Sequence, residues 1–285
     1  MASSHNPNPA GQTPESRTIR LVYGSEPLHF GELHLPTGAG PHPVVILIHG
    51  GFWRVPYGYS LMSSLAEDLA QRGSAAWNIE YRRLGDPNGG WPATLLDVAR
   101  ATDSLRTIAH TYALDLQRVV TVGHSAGGHL ALWLVARSRI AKGNILAGTS
   151  IPDSENERGN TPLALRGAVS QAGVSDLVMG WRMNLGAGAV QELLGGSFTD
   201  HPERYAAASP AALLPLGVPQ VLIHGTADDR VPFEMSRAYA QAAQAAGDSI
   251  RLIELVGGDH FALINVFSEA WAITVGAVKE LLHVA

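Results

Sequence analysis

The 285-residue chain contains no cysteine. This absence excludes disulfide bonds, a cysteine nucleophile and metal sites built on thiolate ligands. It leaves the redox compartment undecided, because a cytosolic enzyme needs no cysteine. If the chain performs nucleophilic chemistry, another side chain must attack.

Charge is also scarce. Charged residues make up 16% of the chain, the formal net charge is −5, and lysine and arginine form no run. Nucleic acid and anionic membrane surfaces attract basic patches, so neither is an expected partner. Apolar stretches are too short and too glycine-interrupted to span a membrane. Residues 1–17 are rich in serine, asparagine, proline and glycine, which predicts a disordered leader. They lack the basic start and apolar core of a signal peptide, so a cytoplasmic protein is expected.

The pentapeptide Gly-His-Ser-Ala-Gly at 123–127 is the most informative motif in the chain. It follows a β-type apolar run at 118–122 and precedes a helical pattern that extends to about Arg137. This is the strand–turn–helix setting of a G-x-S-x-G nucleophile elbow, in which a strained turn exposes a serine hydroxyl. Glycine is required on either side because a side chain there would collide with neighbouring backbone. Ser125 is therefore the candidate nucleophile.

Two further residues complete a catalytic pattern. A serine hydroxyl is a poor nucleophile unless a base takes its proton and a carboxylate orients that base. Asp228 follows the predicted strand at 220–224, and His260 follows the predicted strand at 250–255. Ser125, Asp228 and His260 each lie beyond the carboxyl end of a strand, the edge where catalytic groups gather in open α/β sheets. They also follow the order serine, acid, histidine.

A glycine-containing loop supplies the fourth component. The apolar run at 44–48 predicts a central strand covered on both faces, and it ends in His-Gly-Gly-Phe-Trp at 49–53. Loops of this kind contribute backbone N–H groups to an oxyanion hole, together with the residue after the nucleophile. We assign that role to the N–H groups of Gly51, Phe52 and Ala126. The sequence does not tell which of these amides point inward.

Other carboxylates compete with Asp228 for the role of the acid. Asp229 is its neighbour, and the alternative for Asp229 is to cap the following turn or to pair with Arg230. Asp176 follows the sixth predicted strand, where some enzymes carry their acid. Position favours Asp228.

The remaining histidines have simpler interpretations than catalysis. His49 and His224 end strands before glycine, and we expect them to brace loops by hydrogen bonding. His124 and His129 flank the elbow and are assigned to packing or local polarity, since the elbow fixes their directions in a way unsuited to a zinc site. No metal or other cofactor is expected.

Strand and helix patterns alternate along most of the chain. The eight predicted strands are 18–22, 28–35, 44–48, 74–80, 118–122, 168–171, 220–224 and 250–255. The five predicted helices are 59–72, 92–110, 126–137, 234–246 and 267–282. The first two strands read as an antiparallel hairpin, and the rest predict a mostly parallel α/β sheet with helices on both faces. Residues 18–285 are expected to form one domain.

Two segments interrupt this alternation. Residues 138–165 are polar and longer than a connection requires, so they form either a loop excursion or a rim of the site. Residues 174–218 are rich in apolar side chains and predict a short helical cap over the site. Loop aromatics near the site suggest an apolar pocket. The candidate substrate-binding residues are Phe52, Trp53, Trp181 and Phe261. The pair Arg82 and Arg83 is assigned to loop-bracing ion pairs in preference to binding a substrate carboxylate.

With these motifs assembled, the chain resembles the α/β-hydrolase superfamily over about residues 18–285. Its loop at 49–53 is similar to the HGGxW loop of kynurenine formamidases (arylformamidases) and related bacterial esterases. The segment at 224–229 is similar to the acid turn of prolyl-oligopeptidase-like hydrolases, in which the acid stands four residues after the histidine, here Asp228. Phe52 replaces the third glycine of the HGGG loop of hormone-sensitive-lipase-type esterases, and the propeller of prolyl oligopeptidases is missing.

The motifs and the resemblance predict a cofactor-independent serine hydrolase that cleaves small carboxylic esters through an acyl-enzyme. An arylformamidase with a tiny acyl pocket is the alternative, so the expected partner is a small ester or amide. A non-catalytic binding protein on a hydrolase fold is a third hypothesis, although such proteins typically lose a triad member. The natural substrate, the acyl-chain preference and the oligomeric state, a homodimer included, stay open.

Overall fold

The computed structural model describes residues 17–147 and 161–283. Eight strands form one sheet. They are β1 (Arg17–Val22), β2 (Phe30–Leu35), β3 (His42–Ile48), β4 (Ala75–Ile79), β5 (Leu114–His124), β6 (Gly167–Gln171), β7 (Gln220–Gly225) and β8 (Ile250–Leu255). All eight predicted strands are present. The largest difference is in β5, which begins at Leu114 where the sequence pattern begins at Arg118.

The strand order across the sheet is β1-β2-β4-β3-β5-β6-β7-β8. β2 pairs antiparallel with both β1 and β4, and the other neighbours are parallel. Alternate residues of β3 enter different cores, with Val44, Ile46 and Ile48 on one face and Val45 and Leu47 on the other. A strand covered on both faces reads as a continuous apolar run, as this one does. The predicted mostly parallel eight-stranded α/β fold is confirmed.

Helices occupy most connections in the described residues. They are α1 (Ser63–Gln71), α2 (Ala93–Asp103), α3 (Leu105–Ile108), α4 (Ala126–Ala136), α5 (Leu177–Arg182), α6 (Ala189–Leu194), α7 (Pro202–Ala208), α8 (Phe233–Ala245) and α9 (Glu269–His283). The helix predicted over 92–110 is divided at Ser104, whose hydroxyl donates to the carbonyl of Ala101. Such a back-bond competes with the helical pattern.

Helix α4 is buried along its whole length. A helix that is apolar on all sides belongs inside a protein, and this one packs between β5 and β6 on one side and the segment at 174–218 on the other. His129 Nε2 and Trp133 Nε1 donate to the carbonyls of Ala208 and Ala207, at 2.9 and 3.0 Å. These bonds join α4 to the 174–218 segment.

The segment at 174–218 contains α5, α6 and α7 and a short 3-10 helix at Pro210–Leu213. Its function as a cap, like the single-domain organisation, stays a prediction. The predicted leader lies outside the described residues except for Arg17, which pairs with Leu35 in β1 and β2. The predicted excursion at 138–165 is described only at its two ends.

No helix among the described residues is long and apolar enough to cross a bilayer. The cytoplasmic location stays a prediction.

Candidate active site

Ser125 stands between the end of β5 and the start of α4, with φ 56° and ψ −119°. This backbone conformation is strained for any residue with a side chain, and it persists only when its surroundings hold it. The N–H of Ser125 donates to the carbonyl of Gln171 at 2.7 Å, and only 2% of the residue is exposed. The strained strand-to-helix turn expected of a nucleophile elbow is thus present.

The two glycines of the elbow are required by close backbone contacts. A Cβ on Gly123 would lie 2.0 Å from the carbonyl oxygen of Gly127. A Cβ on Gly127 would lie 2.0 Å from the carbonyl oxygen of Ile48. Both distances are far shorter than any real contact, so the sequence-based explanation of these glycines is confirmed.

The loop after β3 presses against the elbow. A Cβ on Gly50 would lie 2.9 Å from the Cβ of Ser125. Gly51, Phe52 and Trp53 follow with φ values of 107°, 50° and 54°. Three successive residues of this kind curl the main chain tightly, and two of them carry side chains that disfavour the conformation.

Two N–H groups of this curl, and the N–H of Ala126 at the start of α4, have no partner in the described part of the chain. Among the described residues, none accepts a hydrogen bond from the N–H of Gly51, Phe52 or Ala126. Buried or half-buried N–H groups are almost always paired, so unpaired amides beside a strained serine need an explanation. Ala126 also begins α4, where the helix dipole favours negative charge.

His49 and Glu80 fix the conformation of this loop through hydrogen bonds. His49 Nδ1 donates to the carbonyl of Gly50 at 2.8 Å, and His49 Nε2 donates to Glu80 Oε1 at 2.9 Å. In a trans peptide the C=O and the following N–H point in opposite directions, so pinning this carbonyl turns the N–H of Gly51 the other way. Burial is the largest single influence on Glu80 and raises its pKa, but the interactions with His49, the N–H of Tyr81 and Arg83 together outweigh burial and lower the pKa of Glu80.

Sequence analysis predicted that His49 braces a loop but did not single out Glu80. A signal was present, since His49 and Glu80 directly follow Ile48 and Ile79, which are paired in register on neighbouring parallel strands. Residues that follow paired strand ends meet at the same edge of the sheet.

Asp228 is hydrogen-bonded on both carboxylate oxygens. Oδ2 accepts from His260 Nδ1 at 2.6 Å, and Oδ1 accepts from the N–H groups of Arg230 and Val231 at 2.8 Å each. His224 Nε2 lies 3.2 Å from Oδ2. Burial disfavours the charge, yet the hydrogen bonds from His224 and His260 prevail and hold the pKa of Asp228 far below its ordinary value. The group is a carboxylate at neutral pH.

The competing acids are engaged elsewhere. The side chain of Asp229 is 72% exposed and pairs with Arg230 at 3.3 Å. Asp176 caps α5, where it accepts hydrogen bonds from the N–H groups of Val178 and Met179. Neither carboxylate contacts His260.

His124 connects the elbow to the loop that carries His260. Its Nε2 donates to the main-chain oxygen of His260 at 2.9 Å, and the two ring centroids are 4.5 Å apart. Burial, and secondarily the neighbouring His260, lowers the pKa of His124 to about 3, so the ring is neutral. No hydrogen bond joins the hydroxyl of Ser125 to His260 in the described part of the chain. Such bonds are often long without substrate and tighten when it binds.

The chain matches the BD-FAE family model over residues 32–242. It belongs to the BD-FAE family. Curated relatives include Esterase LipC of Mycobacterium tuberculosis, which is 26% identical over 251 residues covering 85% of this chain and 59% of the relative. Esterase LipQ of the same organism is 29% identical over 76% of this chain and 50% of its own length. Isoprenylcysteine alpha-carbonyl methylesterase ICME of Arabidopsis thaliana is 26% identical over 86% of this chain and 57% of its own length.

This BD-FAE family member therefore spans between 50% and 59% of the length of these three relatives. Solved structures match more completely. A truncated carbohydrate esterase from gut microbiota superimposes with a TM-score of 0.77 at 23% identity, covering 94% of this chain and 96% of the other. Esterase Est2 of Thermogutta terrifontis gives 0.71 at 23% identity, covering 94% and 92%. These similarities confirm the predicted α/β-hydrolase fold.

Two of the four aromatic side chains assigned to substrate binding lie beside residues of the candidate site. Phe261 is 53% exposed, and its ring stands edge-on to that of His260 at 5.4 Å. The ring of Phe52 packs against Gly186 of the 174–218 segment, where an added Cβ would lie 2.7 Å from it. Phe52 therefore lies between the loop after β3 and that segment, and Phe261 lies beside His260.

The other two aromatic residues are placed differently. Trp181 is half-buried, with its ring 6.0 Å from Phe198 and 6.5 Å from Tyr205 inside the 174–218 segment. Trp53 has no exposed surface and packs edge-on to His129 at 5.3 Å. Because the curled loop turns Trp53 into the core, its burial does not support the prediction that it contacts substrate.

The arginines after β4 brace loops, as predicted. Arg82 Nη2 lies 2.7 Å from Asp97 Oδ1, and Arg83 Nε lies 2.9 Å from Asp86 Oδ2. Each guanidinium therefore has a carboxylate partner.

Proposed function

We propose that this BD-FAE family member is a carboxylic ester hydrolase that uses Ser125 as its nucleophile. The named relatives and the matching structures are esterases, which supports ester hydrolysis. The observation that carries the proposal is the meeting of a strained serine and a histidine–carboxylate pair at one edge of the sheet, joined through His124.

In the first step His260 acts as the general base. Asp228 accepts the proton of Nδ1 in a hydrogen bond, which leaves Nε2 with the lone pair that takes the proton of Ser125. Because Asp228 stays a carboxylate, it also stabilises the imidazolium that forms. The Ser125 oxygen attacks the carbonyl carbon of the ester as its proton leaves.

The carbonyl oxygen of the substrate becomes an oxyanion in this step. The unpaired N–H groups of Gly51, Phe52 and Ala126 are the donors we assign to it, and the amino-terminal end of α4 adds a favourable dipole. Losing one such donor costs about 2.7–4 kcal/mol of transition-state stabilisation. His260 then returns its proton to the leaving alcohol, and a water molecule repeats the sequence to release the acid.

The substrate class is a small carboxylic ester, with Phe52, Phe261 and Trp181 as the side chains proposed to contact it. The exposed ring of Phe261 and the ring of Phe52 offer apolar surface next to the nucleophile. The names of the relatives and of the matching structure support ester substrates, whereas the loop at 49–53 is similar to that of arylformamidases and of related bacterial esterases alike.

The proposal is tested by comparing p-nitrophenyl acetate, butyrate and octanoate with N-formylkynurenine. We expect the wild type to hydrolyse the short esters with a much higher kcat/KM than the formamide. Ser125→Ala should lose this activity, whereas Ser138→Ala, at an exposed serine beyond α4, should keep it. Preferential turnover of the formamide would reverse the substrate assignment, and equal activity of Ser125→Ala and the wild type would refute the mechanism.

A further inference from the structure

Arg54 joins the loop of the proposed oxyanion hole to the 174–218 segment. Its Nη1 donates to the carbonyl of Gly186 at 2.6 Å, and its Nη2 donates to the carbonyl of Ala187 at 3.3 Å. Its Nε donates to Glu192 Oε2 at 2.9 Å. One planar guanidinium therefore binds a turn and the helix that follows it, a geometry that lysine cannot reproduce.

The turn that Arg54 binds is strained. Gly186, Ala187 and Gly188 have φ values of 57°, 52° and 86°, so three successive residues are left-handed. Ala187 carries a Cβ that disfavours this conformation. Strained backbone persists only where its surroundings over-determine it, and Arg54 supplies hydrogen bonds to two of the three carbonyl groups.

The same turn forms a wall beside the proposed site. Gly186 packs so closely on Phe52 that an added Cβ would lie 2.7–3.0 Å from three atoms of the ring. A displacement of the turn would therefore change the space around Phe52.

The loop that carries Arg54 is held in place by main-chain contacts that do not involve the Arg54 side chain. The main chain of Arg54 forms a bridge with Leu84, whose N–H donates to the carbonyl of Trp53 at 2.6 Å. The Arg54 N–H donates to the carbonyl of Gly51 at 3.0 Å, and Trp53 is fully buried. Truncating the Arg54 side chain should release the 186–188 turn and leave the oxyanion loop in place.

We propose that Arg54 is a positioning residue that holds the 186–188 turn against Phe52 and thereby sets substrate binding. This inference rests on the proposed ester hydrolysis at Ser125. The loop with the proposed oxyanion donors keeps its own main-chain hydrogen bonds when the Arg54 side chain is lost. The loss therefore weakens substrate binding in the ground state and in the transition state by the same amount. Such a change raises KM and leaves kcat unchanged.

The test measures kcat and KM for p-nitrophenyl butyrate in Arg54→Ala, Arg54→Lys and Arg251→Ala. For Arg54→Ala we expect KM to rise about fivefold or more with kcat within about twofold of wild type. Arg54→Lys keeps a positive charge near Glu192 but loses the planar guanidinium that binds both carbonyl groups. Its KM should therefore lie between those of the wild type and Arg54→Ala. Arg251→Ala removes an exposed arginine that pairs with Glu280, and it should behave as wild type.

An unchanged KM in Arg54→Ala, or a fall in kcat at constant KM, would overturn the inference. Hydrogen–deuterium exchange of peptides covering 184–194 gives an answer independent of activity. We expect faster exchange there in Arg54→Ala and wild-type exchange in Arg251→Ala. If the wild type hydrolyses no ester, the proposed function is wrong, but the exchange experiment still tests whether Arg54 holds the 186–188 turn. Unchanged exchange in Arg54→Ala would refute that positioning role.

Discussion

The Nε2 of His124 donates to the main-chain oxygen of His260 at 2.9 Å, across 136 positions of sequence. This bond ties the residue before the proposed nucleophile to the residue proposed as its base. Because His124 is neutral, its Nε2–H serves as a donor without adding charge beside His260.

Replacing His124 by phenylalanine should therefore lower activity without unfolding the protein. The ring volume is kept, but a buried carbonyl loses its donor, at a cost of about 1–3 kcal/mol that can shift the His260 loop. We expect kcat for p-nitrophenyl acetate to fall about tenfold to a hundredfold. His124→Gln, which restores an N–H donor, should recover part of the loss. Full activity in His124→Phe would show that the bond does not position His260.

Exchanging the two neighbouring aspartates for asparagine, one at a time, identifies the catalytic acid. Asp228→Asn should lower kcat about 10⁴-fold. An amide at this position favours the wrong tautomer of His260 and cannot stabilise the imidazolium that forms during the reaction. Asp229→Asn changes an exposed side chain that pairs with Arg230, so it should retain wild-type kcat. The reverse result in steady-state kinetics would assign the acid to Asp229.

Glu80→Gln tests whether the hydrogen bonds from His49 to Glu80 and to Gly50 position the loop of the proposed oxyanion hole. The amide keeps the shape of the side chain but not the charge that holds His49 against the carbonyl of Gly50. We expect kcat to fall about tenfold with a small change in KM, because an oxyanion donor acts mainly on the transition state. Glu254→Gln, at an exposed position of β8, is the matched control. A rise in KM at unchanged kcat would contradict this role.

His129 should make the fold less stable in acid. Burial lowers the pKa of His129 to about 4 from an ordinary value of 6.5. The unfolded chain therefore binds the proton more readily, and the free energy of unfolding falls as the pH drops from 6.5 towards 4. His129→Gln cannot titrate, so its urea-unfolding free energy should depend less on pH over this interval. Identical pH dependence in the two proteins would refute the assignment.

Much of the fold follows from local patterns. The apolar run at 44–48 predicted a strand covered on both faces, and the motif at 123–127, set between a strand and a helix pattern, predicted the turn at Ser125. Each of these inferences uses residues that are close in sequence and a period or spacing that physical chemistry fixes.

The rest depends on contacts between distant residues. Trp53 stands in a loop pattern, and only the left-handed run at 51–53 turns it into the core. Arg54 meets Gly186 across 132 positions, so nothing in its own loop indicates that partner. Glu80 was overlooked for a different reason, since its meeting with His49 followed from strand register.

The central claim is that Ser125 is the nucleophile, and phosphorylation by diethyl p-nitrophenyl phosphate tests it directly. The intact mass of the wild type should increase by one diethylphosphoryl group, and peptide mapping should locate that group on Ser125. Ser125→Ala should remain unmodified, while Ser138→Ala should react as the wild type does. A label on another residue, a labelled Ser125→Ala, or no label on the wild type would contradict the mechanism.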